Sequence, residues 1–116
     1  MRADELKRGV DSIASAASEG KLLAQDVSRD RTRSTFVRVH ARDLADDVNH
    51  EAEKLADAQA HGEVARIKAQ AVALAQQVSD ALGDLQVMPA DATTGAHVAT
   101  RLRHYAAKAG ELSAAL

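Results

Sequence analysis

The chain has no cysteine and no tryptophan, and only one proline, one phenylalanine and one tyrosine in 116 residues. Without cysteine there is no disulfide, no thiolate metal site, no iron–sulfur cluster and no cysteine nucleophile. One proline and six glycines supply too little turn material for an all-β fold. No apolar run approaches the ~20 residues that a bilayer-spanning helix needs. The opening Met-Arg-Ala-Asp-Glu-Leu-Lys-Arg leads into no apolar segment of the secretory-signal kind, so a cytoplasmic location is expected. An excess of charge of one sign is also missing. Fifteen basic against seventeen acidic residues give a net charge of −2, far from the basic surplus of a dedicated nucleic-acid binder.

What the chain has in abundance is alanine. Its 26 alanines outnumber Leu, Val, Ile and Met together, which come to 25. Ten arginines against five lysines, with that alanine, are the compositional habit of a GC-rich bacterial genome.

Apolar residues recur at steps of three and four along nearly the whole chain. One series runs Leu6, Val10, Ile13, Ala17, Ala24, Val27, with Gly20 in its gap. A second runs Val37, Ala41, Leu44, Val48, Ala52, Leu55 and ends on the polar Gln59. The third is Val64, Ile67, Ala71, Leu74, Val78, Leu82, Leu85, and the fourth Val98, Leu102, Tyr105, Ala109, Leu112, Leu116. Such steps put each series on one narrow helical stripe, as in bundle seams, and no stretch of strict alternation competes. The fold class is all-α.

Breaks between the stripes predict four helices, over 3–28, 34–60, 63–84 and 92–115. Ser28–Thr35 carries no apolar residue and several potential N-caps. It contains neither Gly nor Pro, however, so three helices with one long kinked helix over 21–61 is the alternative. Gly62 is expected to cap the second helix in left-handed geometry. The stretch from Gly83 to Pro89 should end the third helix, and Asp91, Thr93 and Thr94 offer caps for the fourth. Helices of this length are only marginally stable alone, so the stripes must meet. Short connections then give an antiparallel up-down four-helix bundle, a single domain over 1–116. Each Ala in place of a seam Leu forgoes on the order of 2 kcal/mol of apolar transfer. That modest core leads to an expectation of self-association, as a homodimer. Of the two aromatics, Tyr105 is expected in the core with its hydroxyl at the edge, and Phe36 is expected to close the bundle end.

Residues able to do chemistry are few and scattered. His40, Asp43, Asp47, His50 and Lys54 step along one flank of the second helix. Imidazole and carboxylate suit zinc or iron, but a di-iron bundle needs repeated Glu-x-x-His pairs and inward Glu residues. Only Asp47-x-x-His50 occurs here, and a solvated helix flank accounts for the stripe without a metal. A phosphotransfer-type bundle would use His40, although His40-Ala41-Arg42-Asp43-Leu44 lacks the Lys and Gly of the usual His-x-Leu-Lys-Gly run. An RNA-directed activity of the HEPN type, built on an Arg followed a few residues later by a His, would use Arg33 and His40. Arg29, Arg31, Arg33, Arg38 and Arg42 cluster near the first connection, a position suited to phosphate. Asp26, Asp30 and Asp43 are interleaved, and no aromatics are there to stack bases. The small helical hairpins of the WXG family share the size but not the Trp, and Tyr105 is followed at the fourth position by Ala109 rather than an acid.

The expectation drawn from these residues is a non-enzymatic helical bundle mediating protein–protein contact or self-association. No cofactor and no metal are expected. Arg33 and His40 stand as candidate catalytic residues of the nucleotide- or RNA-directed alternative. Arg38, Asp43, Asp47 and His50 stand as candidate binding residues.

Overall fold

A computed structural model describes residues 1–116 as four α-helices and no strand. They are α1 (Ala3–Ser28), α2 (Ser34–Asp57), α3 (Gly62–Val87) and α4 (Ala92–Ala114). Each seam foreseen from the spacing is buried as a ridge, from Leu6, Val10 and Ile13 in α1 to Val98, Leu102 and Ala109 in α4. At the seam ends Val64, Tyr105 and Leu116 are half-buried, and the polar Gln59 is exposed. The core is wider than one line per helix, because Ala16, Leu23, Ala45, Ala75 and Ala81 join it from the flank of their stripes.

The helices form a rod of 45 × 21 × 16 Å. The most extensive contacts pair α1 with α4 and α2 with α3. The pairs joined by the outer turns, α1–α2 and α3–α4, touch less. One diagonal is closed, α1 against α3, while α2 and α4 do not meet. Small residues explain the closed diagonal. A Cβ on Gly20 of α1 would lie 2.8 Å from Leu82 Cδ2 of α3 and 2.9 Å from Leu102 Cδ1 of α4. The α1–α4 pair is closer still at Gly95, where a Cβ would lie 2.7 Å from the Ser28 backbone nitrogen. Ser113, the one buried polar residue, adds a polar clasp to that pair. Its hydroxyl accepts from Lys7 Nζ at 2.5 Å and donates to Asp11 Oδ1 at 2.7 Å.

Several sequence expectations need correction. A true turn separates α1 from α2, with Asp30 at φ 54°, so the long kinked helix over 21–61 does not form. No side chain caps α2, whose N-cap position is Arg33. That helix stops at Asp57 rather than at 60, because Ala58 is extended at φ −77°, ψ 137°. Carbonyls beyond the stop are satisfied from elsewhere: Lys68 Nζ donates to Ala58 O at 2.6 Å, and the Met1 ammonium donates to Gln59 O. Gly62 is left-handed as expected, at φ 60°, but it opens α3 instead of capping α2. Helix α3 runs through Gly83 to Val87, since burying Leu85 keeps the stripe going and Pro89 interrupts only beyond it. Asp91 does cap α4, accepting from Thr94 N at 3.0 Å. Phe36 does not close the bundle end: its side chain faces outward and is 57% exposed. No helix is long and apolar enough to cross a membrane.

Candidate functional site

Because α1 and α2 touch less than the pairs α1–α4 and α2–α3, a groove runs between them. Three hollows follow one another along it. The first, beside the α1–α2 turn, has a volume of about 270 Å³ and is lined by Glu19, Leu22, Leu23, Asp26, Phe36 and His40. The middle one, about 420 Å³, shares Glu19 and adds Ser12, Ser15 and Ala16 of α1 with Asp47, His50 and Glu51 of α2. Its floor is apolar, made by Ile13, Leu44 and Val48. The third, about 380 Å³, shares Ser12 and Glu51 and reaches Met1, Arg8 and Lys54 at the far end of the rod. The seam spacing sets this layout: with Leu44 and Val48 turned inward, Asp47 and Glu51, each three positions further on, fall at the edge of the same stripe and form the rim.

Sequence-derived candidates are divided by this geometry. His40 lines the first hollow, half-buried, with its ring edge-on to Phe36 at a centroid distance of 5.3 Å. Its Nε2 lies 3.7 Å from Glu19 Oε2, an ion-pair distance when the imidazole is protonated and too long for a hydrogen bond. Its Nδ1 is buried without a partner. Asp47 and His50 line the middle hollow together. Arg33, Arg38 and Asp43 line neither, and all three are exposed. Asp43 instead sits 3.8 Å from Arg42.

Arg33 and His40 therefore do not share a hollow. The one that holds His40 contributes two carboxylates, Glu19 and Asp26, and no arginine or lysine. Carboxylates repel a phosphodiester, so the local charge is the wrong sign for RNA. No three His, Asp or Glu side chains converge as a metal-holding group. Through the first and middle hollows the groove is a trough with an apolar floor and acidic edges, and at the third hollow Arg8 and Lys54 make its edge mixed in charge.

Beside it lie large apolar side chains that face water. Leu22 of α1 is 58% exposed, and Val39 of α2 is 42% exposed, one turn from Phe36. The sequence carried a signal for them, because both are large apolar residues that fall off their seams. A separate hollow of about 380 Å³ lies between α3 and α4, flanked by the exposed Val87 and Met88. There Arg101 bonds Asp84 Oδ2 at 2.6 Å. Burial disfavours the Arg101 charge, but the hydrogen bond to Asp84 and the neighbouring Tyr105 outweigh it and raise the guanidinium pKa.

No protein-family model matches the chain, and no curated protein or solved structure matches it.

Proposed function

We propose that this protein is a non-enzymatic helical bundle whose work is protein–protein contact, made through the α1–α2 groove. The observation that carries this reading is the join of a trough floored by Ile13, Leu44 and Val48 to two exposed large apolar side chains that line its first hollow, Leu22 and Phe36. Exposed apolar surface grouped on one face of a small protein marks an interaction site more often than scattered single residues do. The contact partner is either a second copy of the chain or another protein. No specific observation favours the RNA-directed or phosphotransfer readings, since Arg33 does not line the hollow that holds His40 and His40 faces the Glu19 carboxylate rather than a lysine.

Photo-crosslinking in cells that make the protein tests this. A benzoylphenylalanine replaces the exposed Ser15 on the groove wall, and in a control it replaces the exposed Ala107 of α4. Protein adducts at 15 and not at 107 support the proposal. Absence of any protein adduct at 15 overturns it. So does RNA cleavage that disappears in both Arg33→Ala and His40→Ala.

A further inference from the structure

We infer that the occupant of the α1–α2 groove is a basic amphipathic helix of a partner protein, laid along the trough as a fifth rod. The inference rests on the groove being a protein-contact surface and adds the chemistry of what binds there. Its first support is charge. Through the first and middle hollows the rim carries Glu19, Asp26, Asp47 and Glu51, with no lysine or arginine. Glu51 has one cationic neighbour, Lys54 at 3.7 Å, and Glu19 lies at the same distance from the His40 imidazole. Asp26 and Asp47 make no ion pair within the chain. Four carboxylates, two of them unanswered, flank an apolar floor, and such a rim selects lysine or arginine at the edges of a partner's apolar stripe.

The second support is shape. The floor residues Ile13, Ala16 and Leu23 of α1, with Leu44 and Val48 of α2, repeat at steps of three, four and seven. That is a helical repeat of ridges and holes, which another helix can interlock with. An extended strand would instead need an unpaired sheet edge, and there is no strand in the fold. Ser12, Ser15 and Ala16 keep the α1 wall low, so a partner axis can approach to the short end of the ~8 to 10 Å range. From Ser12 to Asp26 the acidic stretch spans about 21 Å, matching about 14 residues of partner helix. The second copy is a poorer occupant, because its own α1–α2 face presents the same carboxylates and like charges would oppose.

The test measures fluorescence anisotropy of a labelled helical peptide of about 18 residues, with Leu on one stripe and Lys elsewhere, against the whole chain. Controls are the matching Leu/Glu peptide and a Leu/Lys peptide of scrambled order. The amphipathic Leu/Lys peptide should bind at least about tenfold more tightly than either control. Glu19→Lys with Asp47→Lys should weaken it about tenfold, whereas the same charge change at Asp4→Lys with Glu111→Lys, away from the groove, should not. Ser15→Trp, which fills the trough from an exposed position, should also block it, with circular dichroism confirming that each variant is folded. Equal affinity for the scrambled or Leu/Glu peptide overturns the inference, as does equal weakening by the two charge variants. A crosslinked partner segment at position 15 that is acidic or non-helical overturns this inference while leaving the protein-contact reading standing. No adduct at 15 overturns both.

Discussion

Four helical glycines separate the tight surfaces of the bundle from the free ones. A Cβ at Gly95 would meet backbone, 2.7 Å from Ser28 N and 2.9 Å from Ala24 O, and backbone inside a helix cannot step aside. At Gly20 the obstacles are the ends of Leu82 and Leu102, which can shift a little. At Gly83 and Gly110 there is nothing within 4 Å. Urea denaturation should therefore rank the alanine variants. Gly95→Ala should cost about 2 to 3 kcal/mol and Gly20→Ala about 1 to 2, both from overpacking. Gly83→Ala and Gly110→Ala should each stabilise by about 0.5 to 1 kcal/mol, through helix propensity alone. If Gly95→Ala proves neutral, the close α1–α4 approach is wrong. At this scale the seams could be read directly from sequence, because a step of three or four fixes which side chain turns inward. The flank positions could not. Ala16, Ala45 and Ala75 are small enough to suit either water or a core, and only the neighbouring helix decides.

Helix ends follow a different logic. Of the four N-termini only that of α4 has a side-chain cap. The Thr94 hydroxyl donates to Asp91 Oδ2 at 2.5 Å and the Thr94 amide at 3.0 Å, holding the Asp91 carboxyl below its ordinary value. The Arg66 guanidinium, hydrogen-bonded to Glu63, does the same for that carboxyl in the first turn of α3. A carboxyl whose pKa is lower in the folded chain than in the unfolded one stabilises the fold above the unfolded value. The benefit is lost as pH falls through the folded one. Both contributions should be constant from pH 8 to about pH 5 and disappear in the acid range below about pH 4. Asp91→Asn keeps an acceptor at the cap. Its melting temperature should stay near that of the parent at pH 7 and fall less steeply between pH 4 and pH 2. An unchanged acid slope in that variant would remove the cap from the account. Element boundaries were only partly readable beforehand. Asp91 announced itself as a cap, yet the stop at Asp57 depends on partners distant in sequence, Lys68 and the Met1 ammonium, that no local pattern reveals.

For the whole molecule, the deciding fact is which helices pair. Sequence order and short turns favour α1 with α2, but the most extensive contacts join α1 to α4 and α2 to α3. Small residues admit each neighbour at a different point: Gly95 and Gly20 let α4 and α3 close on α1, and Gly9 lets α2 do so near the far end of the rod, beside Glu51 and Leu55. The pairing leaves α1 and α2 parted along the groove, so the candidate site is a product of packing that no motif encodes. The exposed apolar residues beside it take no part in holding the bundle together. Leu22→Ser and Phe36→Ser should each change folding stability by less than about 0.5 kcal/mol in denaturant titrations. They should still reduce the protein adducts formed at position 15. A loss of more than 2 kcal/mol in either would mean that these side chains belong to the core.

The α1–α4 pairing also has a cost in time. The first helix makes its most extensive contact with the fourth, so a loop spanning α2 and α3 must close before the broadest surface is covered. On the ribosome the ridge of Leu6, Val10 and Ile13 stays only partly covered, by α2 and α3, until α4 has emerged. During that interval, aggregation of the nascent chain and chaperone capture compete with folding.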